Sequence, residues 1–158
     1  MAAPLPFTEN ERRLLRSLLR HEVRFMVVGL SAAAFPGAPV ITQDVDLWFE
    51  KLGDPEMSRA LQEVGAAYVP PSINNPRMLA GTVAELFDIV IRMDGLGKFA
   101  DEIENCVEIQ LGHQKLKVLS LERILASKLA ANRAKDQLTI PVLRDTLAAA
   151  LGAKRQKI

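Results

Sequence analysis

Residues 40–49 carry the strongest structural signal in the chain and read Val-Ile-Thr-Gln-Asp-Val-Asp-Leu-Trp-Phe. Apolar Val45 and Leu47 alternate with Asp44 and Asp46, which is the period typical of a half-buried β-strand. Side chains two residues apart lie on one face of a strand, so the two carboxylates are expected side by side. Like charges that close repel each other. A hard divalent cation such as Mg²⁺, bound by one or two carboxylates and substrate phosphates, would turn the repulsion into coordination.

A third acidic residue, Asp88, lies inside the apolar segment 85–93, which is predicted to form another strand. A carboxylate in such a strand is costly to bury unless it is paired, hydrogen-bonded or bound to a metal. Taken alone, it could equally be turned outwards on the solvent face of the sheet. Taken with Asp44 and Asp46, it completes the carboxylate set of a two-metal site for phosphoryl transfer.

Composition and length favour a single globular domain spanning residues 1–158. The chain is 49% hydrophobic and 25% charged, with a formal net charge of +1. Cys106 is the only cysteine, so we expect an inert, reduced thiol. No apolar run has membrane-spanning length and the N-terminus lacks a signal-peptide pattern, so we expect a cytoplasmic protein that does not contact a membrane.

Basic residues are concentrated near both ends of the chain. A solvated helix face and a frayed tail are the simpler interpretation, and a surface that steers a nucleic-acid or nucleotide partner is the alternative. The residues concerned are Arg12, Arg13, Arg16, Arg20, Arg24, Lys154, Arg155 and Lys157.

Hydrophobic periodicity and capping residues predict alternating helices and strands. Thr8 and Glu11 form the pattern of a capping box at the start of the first helix. Three prolines and two asparagines in residues 70–82 predict a loop that interrupts a hairpin. The fold class is therefore α/β (α+β), with a mixed sheet flanked by helices in a core of about residues 23–119 and a helical pair at about 120–151. Further helices are predicted at 31–35, 55–64, 121–132 and 135–151, and strands at 23–28, 40–49, 85–93, 107–111 and 116–119.

Two parts of the chain together resemble a known group of proteins. Residues 26–32 (Met-Val-Val-Gly-Leu-Ser-Ala), then 37–39 (Gly-Ala-Pro) and 42–47 (Thr-Gln-Asp-Val-Asp-Leu), resemble the DNA polymerase beta-like nucleotidyltransferase superfamily. Its minimal members carry a strand, a Gly-Gly or Gly-Ser turn, a helix and an Asp-x-Asp strand, with a third carboxylate on a later strand that Asp88 matches.

The C-terminal part narrows the resemblance. Residues 119–129 (Leu-Ser-Leu-Glu-Arg-Ile-Leu-Ala-Ser-Lys-Leu) and 133–136 (Arg-Ala-Lys-Asp) look like the abortive-infection toxin nucleotidyltransferases of toxin–antitoxin systems. In that group a Lys and an Arg-x-Lys-Asp segment recur on helices beside the site. The resemblance covers about residues 23–150, which is nearly the whole domain.

The resemblance implies transfer of a nucleoside monophosphate from an NTP to a hydroxyl of tRNA or protein, with release of pyrophosphate. Asp44 and Asp46 would hold two Mg²⁺ ions, or Mn²⁺ in their place. Asp88 would share the catalytic ion and help to activate the acceptor hydroxyl. An antitoxin protein is an implied partner.

The resemblance also implies a triphosphate site. Gly29 would let the backbone approach the phosphates, which the N-terminus of the following helix would stabilise. Ser31 would offer a hydroxyl, and Lys128 would neutralise phosphate charge. A lysine on a helix is as often a solvent-facing residue, which is the alternative for Lys128.

Two positions depart from the family pattern. Leu30 stands where the second small residue of the turn is expected, and Val40 where an arginine often precedes the Thr of this subgroup. Both changes favour the alternative of a catalytically weakened domain that binds nucleic acid or protein. Trp48 could stack on a base, although packing under a neighbouring helix is the commoner use of a tryptophan.

Overall fold

A computed structural model of the protein describes residues 7–38 and 44–156, with side chains described as far as residue 152. The segment that holds Pro39, Val40 and Thr42 lies outside the described residues, as do the side chains of Lys154 and Arg155 and the whole of Lys157. The helices are α1 (Glu9–Arg20), α2 (Gly29–Ala33), α3 (Pro55–Glu63), α4 (Phe99–Glu102), α5 (Leu121–Ala131) and α6 (Ala134–Gln156). The strands are β1 (Phe25–Val28), β2 (Val45–Phe49), β3 (Ala67–Val69), β4 (Met78–Ala80), β5 (Phe87–Val90), β6 (Cys106–Leu111) and β7 (Gln114–Leu119).

Five of these strands form one mixed sheet in the order β5-β2-β1-β7-β6. Strand β1 runs antiparallel to β2 and parallel to β7, β2 runs parallel to β5, and β6 and β7 form an antiparallel hairpin. A two-residue turn, Gly112 and His113, closes that hairpin, with Gly112 at φ +64°. The mixed sheet flanked by helices confirms the predicted fold class.

The first helix follows from its sequence as predicted. The Thr8 hydroxyl accepts a hydrogen bond from the backbone N–H of Glu11, and the Glu11 carboxylate accepts one from the backbone of Thr8. This capping box satisfies N–H groups that would otherwise lack partners at the helix start. Leu14, Leu15 and Leu18 recur on one face and are completely buried, so α1 closes one side of the core.

The observed elements differ from the predicted ones where packing outweighs local pattern. Part of the predicted 70–82 loop is strand, because β4 pairs antiparallel with β3 and buries Leu79. The predicted strand 85–93 is only four residues long, since a 3₁₀ turn (Thr82–Ala84) precedes it and Ile91 is exposed beyond it. Helix α4 was missed altogether, and it is anchored by Phe99 and Glu102, both of which are buried.

The C-terminal helices meet at a tight turn. Ser120 caps α5 through a hydrogen bond from the Arg123 N–H, and Asn132 ends the helix in the left-handed conformation at φ 45°. Helix α6 begins two residues later, so residues eight apart on the two helices come to lie together. Among the described helices, none combines the length and apolar character that a membrane crossing requires.

Candidate active site

The structure brings the three acidic residues singled out in the sequence into one cleft. Asp46 on β2 lies directly opposite Asp88 on the parallel neighbour β5. Asp44 precedes β2 by one residue, and its side chain shares a hydrogen bond with that of Asp88. All three line a cleft of about 390 Å³, which we call the carboxylate lobe and whose other walls are Leu30, Lys128, Lys135, Asp136 and Thr139. Two separate β-segments therefore supply one cluster of carboxylates.

The electrostatics of this cluster are unfavourable for negative charge. Burial is the main reason that the pKa of Asp46 is raised to about 6, and the charge of Asp88 adds to the effect. Lys128 opposes the rise without cancelling it. Asp88 is exposed at the edge of the cleft, and its pKa is also raised, first by partial loss of hydration and then by the charge and hydrogen bond of Asp44. The cluster therefore holds repulsion that a bound cation would relieve.

The donor chemistry of the cluster fits Mg²⁺ without forming a complete metal cage. Among residues 7–38 and 44–156, no group of three or more His, Cys, Asp or Glu is positioned to hold a metal ion by itself. Mg²⁺ commonly binds one or two protein carboxylates, with water and substrate phosphates completing its octahedron. Asp44, Asp46 and Asp88 supply hard oxygen ligands of that kind, and the raised pKa values of Asp46 and Asp88 reflect charge that the protein alone does not neutralise.

Gly29 makes room for Asp46. It has φ +69°, and a β-carbon built on it would collide with Oδ2 of the Asp46 side chain. Any larger residue would therefore be strained in its backbone and would push the carboxylate out of place. The predicted role of Gly29 was close approach of the backbone to phosphate, and the structure adds close approach to a carboxylate.

Ser31 on α2 forms hydrogen bonds to β1 and β2 beside Asp46. Its buried hydroxyl donates a hydrogen bond to the carbonyl of Val28 at 2.9 Å and accepts one from the Asp46 N–H at 3.3 Å. The only hydrogen of the hydroxyl is used in this way, so a phosphate contact would require it to leave Val28. In this arrangement Ser31 positions the backbone of β2 beside α2. Helix α2 starts at Gly29 rather than at Ser31, and is only five residues long.

Lys128 is held at the cleft by Asp136. Its ammonium nitrogen lies 3.5 Å from the Asp136 carboxylate, and its side chain is 15% exposed. Asp136 is almost completely buried, which acts to raise its pKa, but hydrogen bonds from the side chain and backbone of Arg133 and the charge of Lys128 lower it overall. Lys128 is therefore not a solvent-facing lysine. It stands between a firmly ionised carboxylate and Asp46.

A second part of the cleft lies on the other side of Asp46, Lys128 and Lys135, which line both parts. This part, the cationic lobe, has a volume of about 430 Å³. Its further walls are Val28, Gly29, Val90, Arg92, Met93, Asp94, Ser127 and Arg133. Sequence reasoning assigned no role to Lys135 or Arg92. The Arg-x-Lys-Asp segment pointed to the position of Lys135, whereas the sequence holds no signal for Arg92, whose placement depends on where β5 ends.

Other residues with predicted roles lie away from the cleft. Trp48 is buried and packs edge-on against Phe99, with ring centroids 6.0 Å apart, so packing rather than base stacking is its observed use. In the N-terminal basic cluster, Arg20 pairs with Glu63 and Arg24 with Glu50. These pairs support the interpretation of that cluster as a solvated face. Cys106 has a free thiol. Burial raises the pKa of this thiol to about 11, as expected of an inert cysteine.

Comparison with known proteins identifies the fold. No family model and no curated protein matches the sequence. The crystal structure of ANT(2")-Ia in complex with adenylyl-2"-tobramycin superimposes with a TM-score of 0.56 at 15% identity, over 90% of this chain and 88% of that one. An antigenic nucleotidyltransferase-like protein from Paracoccidioides brasiliensis gives a TM-score of 0.53 at 16% identity, over 98% of this chain and 91% of that one. At these identities the likeness establishes a nucleotidyltransferase-like fold.

Proposed function

We propose that this protein is a metal-dependent nucleotidyltransferase that moves a nucleoside monophosphate from an NTP to a hydroxyl acceptor. The main support is the register of Asp46 opposite Asp88, with Asp44 hydrogen-bonded to Asp88, in a cleft that also holds Lys128. A purely structural role for three clustered carboxylates is hard to justify, because burial and mutual repulsion raise the pKa values of two of them.

In this proposal each residue has a defined part in the reaction. The acceptor oxygen attacks the α-phosphorus, the bond from that phosphorus to the pyrophosphate oxygen breaks, and the hydroxyl proton passes to a base. Asp88 is the base or orients the hydroxyl. Asp44 and Asp46 would hold two Mg²⁺ ions, or Mn²⁺ in their place, and Asp88 would share the catalytic ion. A bound ion would supply charge neutralisation and Lewis-acid polarisation of the reacting oxygens. Lys128 offsets charge on the triphosphate.

Gly29 and Ser31 support this chemistry through Asp46. Gly29 leaves space for the carboxylate, and Ser31 fixes the backbone of the same residue. A displacement of about 1 Å at a reacting group can reduce the rate by about a hundredfold. We therefore assign both residues as positioning residues for Asp46, with contact between the Gly29 backbone and the triphosphate as a further part of the proposal.

The acceptor is the least constrained part of the proposal. The resemblance of residues 119–136 to abortive-infection nucleotidyltransferases favours a tRNA or protein hydroxyl, a toxin role and an antitoxin partner. ANT(2")-Ia, which has a similar fold, forms a complex with adenylyl-2"-tobramycin, a small molecule that carries an adenylyl group. A small-molecule acceptor therefore belongs in the same experiment.

A second candidate function is a nucleotidyltransferase-like domain that binds nucleic acid or protein without catalysis. The observation that favours it is Leu30, a bulky residue at a family position for Gly or Ser, which lines the carboxylate lobe. The two functions can be distinguished by measurement, because only the enzyme joins a nucleotide covalently to an acceptor.

The test is incubation with each α-labelled NTP and Mg²⁺, in parallel with total tRNA, a protein extract and tobramycin as acceptors. The proposal predicts a labelled product that is absent with Asp46→Ala and present with Asp145→Ala, a matched exposed aspartate on α6. The enzyme function is refuted if the wild-type protein gives no labelled product with any combination of NTP and acceptor, and binds no NTP in the presence of Mg²⁺.

A further inference from the structure

The two lobes of the cleft carry opposite charge. The carboxylate lobe contains four aspartates and two lysines, whereas the cationic lobe contains four basic residues and two aspartates. The shared wall of Asp46, Lys128 and Lys135 divides them. The positive charge that a polyanionic substrate requires therefore lies on one side of this wall. The carboxylates that a metal ion requires lie on the other side.

The basic residues of the cationic lobe are only partly neutralised. Lys128 and Arg133 pair with Asp136. By contrast, the side chains of Arg92 and Lys135 form no hydrogen bond or ion pair with any residue that the structure describes, although the charge of Lys135 does act on Asp46. Arg92 and Lys135 are exposed at the mouth of the lobe, and their charges, which have no close partner, attract an anionic ligand towards it.

Uncharged groups in the cationic lobe also suit phosphate. The Ser127 hydroxyl belongs to a residue only 6% exposed, lines the lobe and makes no hydrogen bond within the described chain. Gly29 places side-chain-free backbone in the lining of the same lobe. The Ser127 hydroxyl is accessible from the lobe, so it is free to donate a hydrogen bond to a phosphate oxygen.

Leu30 lies on the other side of the wall. It lines the carboxylate lobe and not the cationic one. The family pattern predicts that Leu30 lies close to the phosphates, but in the structure it lines the same lobe as the carboxylates and Thr139. On this geometry it shapes the space for the acceptor and leaves the cationic lobe open.

We infer that the cationic lobe is a polyphosphate-binding subsite, in which Arg92, Lys135 and Ser127 join Lys128 in contacting the triphosphate, while Leu30 borders the acceptor in the carboxylate lobe. The inference rests on the proposed function and assigns its two substrates to different sides of Asp46. It also predicts phosphate binding without any metal or nucleoside, since the contacts it names are made by the chain itself.

The test is calorimetric titration of inorganic tripolyphosphate into the metal-free protein at low salt. Arg92→Gln combined with Lys135→Gln is expected to weaken binding at least about tenfold, because charge-assisted contacts to two phosphates are lost. The matched control, Lys98→Gln combined with Arg144→Gln, removes the same charge at exposed positions outside the cleft and is expected to change the affinity less than about twofold. Leu30→Ser is expected to leave the affinity unchanged.

Three results would overturn the inference: no binding by the wild-type protein, equal weakening by the cleft and control variants, or tighter binding by Leu30→Ser. Should the double variant unfold, as judged by circular dichroism, the exposed single variant Lys135→Gln serves instead, with an expected loss of about threefold or more. The inference and the proposed function can fail separately. If tripolyphosphate binding depends on these residues but the protein transfers no nucleotide, only the proposed function is refuted. If the protein transfers nucleotide and the cleft variant has an unchanged KM for NTP, only the inference is refuted.

Discussion

Two clusters around acidic side chains, one of Glu102 with Arg123 and Gly97 and the other the carboxylate lobe, differ in how their negative charge is balanced. Glu102, on α4, is 3% exposed, and Arg123 donates two hydrogen bonds to its carboxylate, each 2.8 Å long. The Gly97 N–H supplies another. The hydrogen bond from Arg123 is the main cause that lowers the pKa of Glu102. In the carboxylate lobe, burial and neighbouring aspartates raise the pKa of Asp46 to about 6.

The difference separates a carboxylate whose charge is balanced within the fold from one whose charge is not. Glu102 is surrounded by donors, so its ionised form holds α4, α5 and the loop at Gly97 together. Asp46 is surrounded by Asp44 and Asp88, and the lysines at the cleft compensate only in part. Proteins tolerate such destabilised sites where a ligand completes them. The comparison predicts that substitutions in the carboxylate lobe lower activity and, at Asp46, raise stability, whereas substitution of Glu102 lowers stability.

The largest expected effect is on activity. Asp88→Asn keeps the size of the side chain but removes the charge that would assist the acceptor hydroxyl, so we expect nucleotide transfer to fall by about a thousandfold or more. The measurement is the initial rate of product formation under the conditions that give wild-type transfer. Asp145→Asn should retain the wild-type rate, and an Asp88→Asn rate within tenfold of wild type would mean that the site is misassigned.

The next effect is on stability at the structural cluster. Glu102→Gln leaves Arg123 without its partner charge, so we expect the free energy of unfolding to fall by about 2–4 kcal/mol, somewhat less than for a fully buried pair because Arg123 is one-third exposed. Urea titration at pH 7.5 measures this. The loss should shrink as the pH falls through the lowered pKa of Glu102, because the wild-type ion pair is then lost too. A change within about 0.5 kcal/mol would show that the pair is not structural.

A smaller effect of opposite sign is expected in the carboxylate lobe. The raised pKa of Asp46 means that the folded protein binds its proton more tightly than the unfolded chain does, so its ionisation reduces stability as the pH rises from about 4 through about 6. Asp46→Asn should therefore stabilise the metal-free protein at pH 7.5, by about 1–2 kcal/mol after allowance for solvent screening.

The matching measurement is the thermal midpoint in buffer with a chelator. For a chain of this size the gain corresponds to a rise of about 3–6 °C in Tm. It should disappear at pH 4, where the wild-type side chain is protonated. A lower Tm for Asp46→Asn at pH 7.5 would remove the contrast between the two clusters.

The sequence was most informative where local pattern and global fold agree. Thr8 and Glu11 predicted the start of α1, and the alternation around Asp46 predicted β2. The mixed sheet and the helical C-terminal pair followed from the order of such elements. The meeting of Asp44 and Asp46 was predictable from a strand period of two, since both residues lie on one segment.

What the sequence could not supply depends on contacts between distant segments. The parallel register that sets Asp88 opposite Asp46 is chosen by the packing of β5 against β2, and the resemblance to a known superfamily suggested it only indirectly. Helix α4 has four residues and no periodicity to reveal it. Its position depends on Glu102 reaching Arg123 21 residues away. The division of the cleft into two lobes, with Leu30 on one side and Arg92 on the other, likewise emerges only in three dimensions.

The ionisation of Asp46 itself is the most direct test of the account. Carboxyl ¹³C NMR of metal-free protein labelled at aspartate, with Asp46→Asn used to assign the resonance, would follow its titration between pH 3 and 9. We predict a midpoint near pH 6, as the pKa of about 6 requires, and a shift to lower pH when Mg²⁺ is added. A midpoint near pH 4 that Mg²⁺ does not change would contradict the claim that these carboxylates form an unsatisfied, cation-binding site.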